Sequence, residues 1–354
     1  MGKSWEKFIP EKSNSYLVSC ESYLVRKNRS QKPVIHYSLT TNLIGVNILE
    51  KKEKEGIIFV IITIFIAGAL PIIIKYGTGL INPLFFATVS SLIAGIFLFK
   101  LAVLKGNWKI LFDKKYFFHL LLIGFFGITL SNICFFFGVT LTSGINSSIL
   151  LVIEPLYAIF IGYILLNEKI TLKQMFFTFI IMLGTLVVIY RAKFIFNWGD
   201  LLVLLTPLCW QIAHFFSKRL MTNHKEITPM LIAAARTLYG GTFLFILSSI
   251  EGANQYDKLG ITNILLLLIF QGIVGFALHY SVWYEAIKRL NLSKATTLVS
   301  IYPTFSILLA WFILKELPTF YQLAGFGIII LGIFNLSRIK SEHREKKILK
   351  HSTG

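Results

Sequence analysis

Two ionisable residues stand inside long apolar stretches of the chain. Glu154 is the tenth residue of the apolar segment 145–166, and Arg236 is the eighth residue of the apolar segment 229–250. At the centre of a membrane an ionisable side chain costs roughly 2.5–3.5 kcal/mol on insertion scales, so it usually faces a polar cavity or a partner. These two residues are therefore the first candidates for binding a substrate or a proton.

The chemistry of Glu154 depends on what it meets. If it pairs with Arg236, which an extended arginine on a neighbouring helix could reach, the carboxylate stays ionised and the pair is structural. If it does not, burial favours the neutral acid, and Glu154 becomes a proton carrier or the counter-charge of a substrate amine. Arg236 could also belong to the scaffold, because its long side chain can snorkel.

Six further side chains in the apolar segments are candidates for the same site. Each alone is more often a satisfied core residue than a ligand. Trp210 and Tyr302, together with Trp283 and Tyr284, could form an aromatic cage for a cationic or amphipathic substrate, although helix packing is the commoner role. The six candidates are His214, His279, Asn132, Gln211, Trp210 and Tyr302.

Four prolines interrupt the apolar segments. Each removes a backbone donor and frees a carbonyl, which in transporters often lines a cavity. A packing kink is the equally weighted alternative. These prolines are Pro71, Pro155, Pro207 and Pro303.

Two glutamates, Glu168 and Glu316, end the segments that contain Pro155 and Pro303. Each is followed by Thr-x-x-Gln, at 171–174 and 319–322, which is the pattern of a helix start in which threonine and glutamine bond reciprocally to the first amides. We expect both glutamates to fix loops by holding the amides of the helix that follows.

Composition places these residues in a membrane protein. The mean hydropathy of +0.70 and the 55% of hydrophobic residues lie far outside the range of soluble domains. A helix needs about 20 apolar residues to cross the hydrocarbon layer. The sequence therefore predicts an all-α integral membrane protein with ten transmembrane helices, at 56–75, 83–104, 116–139, 145–166, 171–190, 199–217, 229–250, 261–284, 295–314 and 318–336.

Charge gives the expected orientation. The formal net charge of +18 would favour a nucleic-acid partner in a soluble protein. Here most Lys and Arg fall in the two tails and in the connections on the same side as the tails, which is the positive-inside pattern of cytoplasmic loops. We therefore expect the bilayer rather than nucleic acid as a partner, with both termini cytoplasmic and a bacterial inner membrane as the localisation.

The chain also repeats itself. A shift of 148 positions places Pro155 on Pro303 and Glu168 on Glu316, whereas Glu154 falls on Tyr302. Because each copy holds five predicted helices, an odd number, the second copy is inverted in the membrane. The predicted domains are a polar cytoplasmic tail at 1–55, a first repeat at 56–190, a junction at 191–198, a second repeat at 199–337 and a basic cytoplasmic tail at 338–354.

This pattern resembles the EamA domain of the drug/metabolite transporter superfamily. The shared features are ten helices with an early proline in the fourth and ninth, a glutamate at the end of each, then Thr-x-x-Gln and a mid-helix glycine. The resemblance covers nearly all of 56–337. It implies a permease in which helices three, six and eight are among those that line the cavity, and it places an arginine such as Arg236 in the scaffold.

The expected function is a secondary transporter that moves a small organic metabolite, such as an amino acid, by alternating access, with proton coupling or exchange. An exporter of cationic drug-like compounds is the alternative, and a non-transporting scaffold or receptor is the alternative from another class. No nucleophile–base pair, metal-ligand spacing or phosphate loop points to an enzyme, a metal or a cofactor. Close packing at Gly325, Gly327 and Gly332 would permit a homodimer.

Overall fold

The computed structural model describes residues 39–166, 171–190, 197–290 and 292–335, and the regular elements in these ranges are helical. Two units are distinguished, Met1–Val46 and Asn47–Gly354, and of the first the structure describes only the helical residues 39–46. The α-helices are α1 (Leu39–Thr78), α2 (Pro83–Leu104), α3 (Lys114–Gly124), α4 (Ser131–Leu141), α5 (Gly144–Leu151), α6 (Glu154–Leu166), α7 (Leu172–Tyr190), α8 (Trp198–Asn223), α9 (Pro229–Ile250), α10 (Thr262–Phe270), α11 (His279–Arg289), α12 (Leu292–Val299), α13 (Pro303–Leu309) and α14 (Phe320–Asn335).

Wider and tighter turns join some of these helices. The π-helical turn Phe125–Leu130 joins α3 to α4, and Gln271–Leu278 joins α10 to α11. A third π-helical turn, Ala310–Leu314, follows α13. Short 3-10 helices, Trp108–Phe112 and Tyr256–Gly260, precede α3 and α10. π-helical turns are rare and occur frequently at functional sites.

The chain is a multi-pass integral membrane protein. In the described ranges eight stretches are long and apolar enough to cross a membrane: Lys52–Thr78, Pro83–Leu104, Lys114–Leu141, Gly144–Ile161, Trp198–Asn223, Pro229–Ile250, Thr262–Arg289 and Lys294–Leu314. The predicted segments 171–190 and 318–336 correspond to shorter apolar helices, Met175–Val188 and Phe320–Asn335. The count of ten spans stays a prediction.

The four prolines behave in two ways. Pro71 and Pro207 lie inside the continuous helices α1 and α8. Pro155 and Pro303 instead stand in the first turn of α6 and α13, so each of the predicted segments 145–166 and 295–314 contains a break between two α-helices. Proline is well tolerated in a first turn because its missing N–H would have had no helical partner there.

Glycines bring several helices into close contact. A Cβ at Gly95 on α2 would lie 2.9 Å from the backbone of Leu238 on α9. On α14, a Cβ at Gly325 would lie 2.7 Å from the carbonyl oxygen of Gly184 on α7, and one at Gly332 would lie 2.6 Å from Ile181. Two of the three glycines that suggested a homodimer thus pack against α7 of the same chain.

The short turn between α4 and α5 is held by charged side chains from distant elements. The Lys75 ammonium donates to the carbonyl oxygens of Val139 at 2.9 Å and Thr140 at 3.1 Å. The Glu316 carboxylate accepts from the amides of Gly144 at 3.3 Å and Ile145 at 3.2 Å. The last carbonyls of α4 and the first amides of α5, which lack helical partners, are thereby satisfied.

Glu316 was expected to hold the amides of the helix that follows it, and this expectation is wrong. Glu316 caps α5, which lies 172 residues earlier, rather than the helix that follows it. The following helix begins without it, because Thr319 and Gln322 form the predicted reciprocal pair, with the Thr319 amide donating to Gln322 Oε1 at 2.8 Å. Glu168 lies outside the described residues.

A lysine holds the end of α11 in the same way. Lys218 on α8 donates to the carbonyl oxygens of Ile287 and of Leu290, the latter at 2.9 Å. These carbonyls follow those bound by Lys75 by about the repeat distance of 148 residues. Cationic side chains are favourable at helix C-termini, where the helix dipole is negative.

Candidate functional site

A cavity of about 50 Å³ lies between α1, α4, α8, α9 and α11 and the breaks before α6 and α13. Both buried charges singled out by the sequence face it. This volume holds a few water molecules, since one water needs about 10–15 Å³. The lining residues are Thr63, Ala67, Leu70, Pro71, Phe135, Leu151, Glu154, Trp210, His214, Arg236, His279, Tyr280, Trp283, Val299 and Tyr302.

Glu154 is the first residue of α6, at the break that follows α5, and it is 8% exposed. The amide of Gln211 on α8 donates to Glu154 Oε1 at 2.7 Å. One helical turn further along α8, His214 Nε2 lies 3.7 Å from the same oxygen. The spacing of three residues puts Gln211 and His214 on one face of α8, so both reach this carboxyl group.

His214 has a defined partner on its other ring nitrogen. The indole N–H of Trp283 on α11 donates to His214 Nδ1 at 3.3 Å, and the two ring centroids are 5.4 Å apart. The ring of Tyr284 meets the imidazole edge to face at 6.0 Å. His214 is therefore positioned from α11 as well as from its own helix.

Arg236 is fully buried on α9, and three of its N–H groups are bound. Its Nε and Nη2 donate to the Gly127 carbonyl oxygen at 3.0 and 2.7 Å, and its Nη1 donates to the Tyr284 hydroxyl at 2.9 Å. The guanidinium carbon lies 4.0 Å from the ring centroid of Tyr280, which adds a cation–π contact. Among the described ion pairs, none joins Arg236 to Glu154.

The remaining candidates divide by position. Trp210, His279 and Tyr302 line the cavity, and Tyr302 also donates its hydroxyl to the Ser148 carbonyl oxygen at 3.3 Å. Gln211 acts behind the lining through its bond to Glu154. Asn132 is buried elsewhere and donates to Ser91 Oγ at 3.3 Å, so it does not belong to this site.

Among the prolines singled out by the sequence, Pro71 lines the cavity. Pro155, Pro207 and Pro303 are not among its lining residues. Pro155 nevertheless bears on the site, because it directly follows Glu154 in the first turn of α6.

Sequence reasoning missed Gly127 and Tyr280. Gly127 lies in the π-helical turn between α3 and α4, and a Cβ there would come within 2.7 Å of Arg236 Nε. Tyr280 stands four residues before Tyr284 on α11, so one helix face carries both aromatic contacts of the guanidinium. The spacing of four residues from Tyr284 could have indicated Tyr280 from the sequence. For Gly127, the sequence shows only that the glycine recurs in the second half of the chain, which does not indicate its contact with Arg236.

Three buried polar atoms near the cavity have no hydrogen-bond partner in the described part of the chain. They are the indole Nε1 of Trp210, a donor, Oε1 of Gln211, an acceptor, and Nδ1 of His279. A buried polar group left unpaired costs about 1–3 kcal/mol. A ligand or a protonated neighbour that satisfied these atoms would recover part of that free energy.

Comparisons with known proteins give the family context. The profile of the EamA-like transporter family matches the chain twice, over residues 54–190 and 197–338. An uncharacterized transporter of Archaeoglobus fulgidus is 26% identical over 272 residues, which cover 75% of this chain and 92% of the relative. A probable amino-acid metabolite efflux pump of Salmonella typhimurium is 24% identical over 196 residues, which cover 53% of this chain and 65% of that pump.

The fold is also known from crystallography. A protein of solved crystal structure superposes on this chain with a TM-score of 0.60 at 15% sequence identity. The superposition covers 81% of this chain and 98% of the other.

Proposed function

The chain belongs to the EamA-like transporter family, and on that premise we propose that it is a secondary carrier of a small organic metabolite with an amine and a carboxylate, such as an amino acid. The observation that carries the proposal is that Glu154 and Arg236 face one cavity, and no ion pair joins them among the described residues. Buried charges that are not paired with each other are available to a ligand of opposite charge.

The residues that line the cavity indicate the chemical class of the substrate. A substrate amine would bind Glu154, and a substrate carboxylate would bind the Arg236 guanidinium together with the Trp210 indole N–H, which has no partner among the described residues. Aromatic rings supply walls for an apolar side chain. The name of the Salmonella relative, an amino-acid metabolite efflux pump, supports the same class.

The transport cycle would be alternating access. A cavity of about 50 Å³ is smaller than the roughly 300–1,000 Å³ of ordinary small-molecule sites, so helices must part for a metabolite to enter. The two consecutive family matches, and the similar roles of Lys75 and Lys218, support two repeats. The odd number of predicted helices in each repeat supports their inversion, and the positive-inside pattern supports cytoplasmic termini.

The test is transport by purified protein in proteoliposomes. We expect saturable counterflow of at least one amino acid from a radiolabelled panel, and accumulation driven by an imposed pH gradient. Glu154→Gln should reduce pH-driven accumulation at least tenfold, whereas Glu251→Gln, at an exposed site, should behave as wild type. Absence of counterflow for every amino acid would rule out the substrate class, and equal pH-driven flux in Glu154→Gln would rule out its role in coupling.

The aromatic lining also favours a second candidate, an exporter of cationic compounds. Trp210, Trp283 and Tyr302 line the same cavity as Glu154 and would hold a cation by ring faces and one counter-charge. Overexpression should then raise resistance to aromatic cations. The two proposed substrate classes differ in their need for Arg236. A cationic compound does not bind a guanidinium, whereas the carboxylate of an amino acid does.

A further inference from the structure

The hydrogen bond between Trp283 and His214 fixes where the histidine keeps its proton. An indole N–H can only donate, so the ring nitrogen that receives it must carry a lone pair. His214 Nδ1 is therefore unprotonated, and the neutral ring carries its hydrogen on Nε2. Both side chains are buried, with residue exposures of 4%.

The same contact opposes a positive charge on His214. An imidazolium needs a hydrogen on Nδ1, which would then face the donor hydrogen of Trp283. The permanently charged Arg236 lines the same cavity and disfavours a second cation there. The other ionisable groups around His214 are His279, Tyr280 and Tyr284 on α11 and Tyr302 before α13.

The hydrogen on Nε2 points to the carboxyl group of Glu154, whose Oε1 lies 3.7 Å away. In the ionised state, Glu154 receives the Gln211 amide donor at 2.7 Å and has the His214 donor beside it. When Glu154 is protonated it needs an acceptor instead. Gln211 Oε1, buried and without a partner, is available once the amide of Gln211 turns over.

We propose that Trp283 and His214 are positioning residues that direct the exchangeable proton of this pair to Glu154 rather than to His214. Trp283 keeps His214 neutral with its hydrogen on Nε2, the His214 Nε2 lies beside the ionised carboxylate at 3.7 Å, and Gln211 serves both protonation states of Glu154. One proton from water binds a Glu154 oxygen and later leaves from it. His214 stays neutral throughout and does not take up a second proton. This inference rests on the proposed transport function for its biological use, but the protonation states are measurable without any substrate.

The first experiment locates the histidine proton. Protein labelled with ¹⁵N in its histidine rings is placed in lipid nanodiscs, and the His214 signal is assigned by its loss in His214→Gln. We expect a neutral, Nε2-protonated ring from about pH 5 to 8, the range in which an ordinary histidine titrates. Trp283→Phe keeps an aromatic ring but removes the donor, so His214 should then titrate within this range or populate the other tautomer.

The matched control is Trp311→Phe, at a site that is 51% exposed and outside the cavity. It should leave the His214 signal unchanged. A wild-type His214 that titrates within this range or carries its hydrogen on Nδ1 would overturn the proposal. The proposal would also be overturned if the Trp283→Phe protein gives the wild-type His214 signal while its thermal unfolding shows that it is folded.

The second experiment locates the proton on Glu154. Infrared difference spectra between neutral and acidic pH should show a protonated-carboxyl band that disappears in Glu154→Gln and shifts in Gln211→Leu, which removes the acceptor. A spectrum without such a band in the wild type would refute Glu154 as the acceptor. Failure of wild-type counterflow would overturn the proposed transport function alone, because neither spectroscopic result depends on it.

Discussion

Arg236 shows how a single residue can be buried as a cation without a carboxylate partner. Its charge is met by one carbonyl oxygen, one hydroxyl and the face of one aromatic ring, contributed by Gly127, Tyr284 and Tyr280. Neutral partners stabilise the guanidinium without cancelling its charge. Under the proposed function, this leaves the positive charge of Arg236 for a ligand carboxylate and Glu154 for a proton or an amine.

We predict that Arg236→Lys destabilises the protein although it preserves the charge. A lysine ammonium cannot bond to the Gly127 carbonyl through two nitrogens while also stacking on Tyr280. Loss of one charged hydrogen bond is worth about 1.5–3 kcal/mol. Thermal unfolding in detergent should show this loss, and counterflow should show a weaker apparent affinity.

Arg219→Lys is the control, because Arg219 is exposed on α8. Its effect should stay within about 0.5 kcal/mol, as for most surface substitutions. Equal stability of the Arg236→Lys and Arg219→Lys proteins would contradict the role assigned to the guanidinium geometry.

At the scale of elements, the π-helical turn Phe125–Leu130 presents a backbone carbonyl to a side chain of another helix. The Gly127 oxygen accepts from Ser131 Oγ at 2.7 Å as well as from Arg236. Glycine is needed because α8 and α9 approach closely here. A Cβ on residue 127 would lie 2.7 Å from Arg236 Nε and 3.1 Å from the Ala213 Cβ.

We predict that Gly127→Ala displaces the guanidinium and lowers stability by about 1–3 kcal/mol, the usual cost of overpacking. Transport should fall with it, because Arg236 would leave its position at the cavity. The control is Gly327→Ala on α14, where a Cβ meets nothing within 4 Å. Gly327→Ala should be neutral or slightly stabilising, since alanine is the better helix former.

A second inter-element contact lies at the loop between α8 and α9. The Tyr116 hydroxyl at the start of α3 donates to the Glu226 carboxylate in that loop, and Lys115 and His224 lie 3.9 and 3.8 Å from it. The Tyr116 hydrogen bond is the main reason that the pKa of Glu226 is below its usual value. A lowered pKa in the folded state means that this contact stabilises the fold when the carboxylate is ionised.

We predict that Tyr116→Phe returns the pKa of Glu226 toward its usual value. The difference in stability between the wild type and the variant should be complete above the unfolded-state pKa of glutamate. It should disappear as the pH falls through the lower folded-state pKa. Unfolding of both proteins at a series of pH values checks this. A stability difference that persists at low pH would show that the lost contact is packing rather than the hydrogen bond to Glu226.

At the scale of the whole second unit, two places where helices end or begin are held by different contacts. One uses bonds from charged side chains to backbone groups, and the other uses ion pairs between side chains. The α4–α5 turn is held by Lys75 and Glu316 through backbone groups. The beginning of the first membrane span is held by ion pairs, Glu55 with Arg289 and Glu53 with Lys294, whose side chains are a quarter to a half exposed. Exposed pairs are weak and screened by salt.

We predict that the double change Glu53→Gln and Glu55→Gln favours opening of the carrier at this end. In a background without the three native cysteines, a cysteine at Thr63 in the cavity lining should react faster with a membrane-impermeant thiol reagent from the side of the N-terminus. High salt should raise the wild-type rate in the same direction. Glu251→Gln is the matched control, and an unchanged rate in the double variant would exclude these pairs from gating.

The sequence by itself determined the membrane class, the apolar segments and the family pattern, and it singled out Glu154 and Arg236, which the structure places in the lining of one cavity. These are properties of composition and spacing along the chain, and the cost of a charge among apolar residues does not depend on knowing the fold. The capping pair of Thr319 and Gln322 is local in the same sense, because its bonds span three residues.

Only the tertiary structure decided which groups these residues meet. Arg236 contacts a carbonyl 109 residues away, Trp283 contacts a nitrogen 69 residues away, and Glu316 caps a helix 172 residues away. Such contacts depend on how helices pack and on where a π-helical turn or a proline changes the register of a face, which leaves no periodic signal in the chain. The partners of His214 are set at that level.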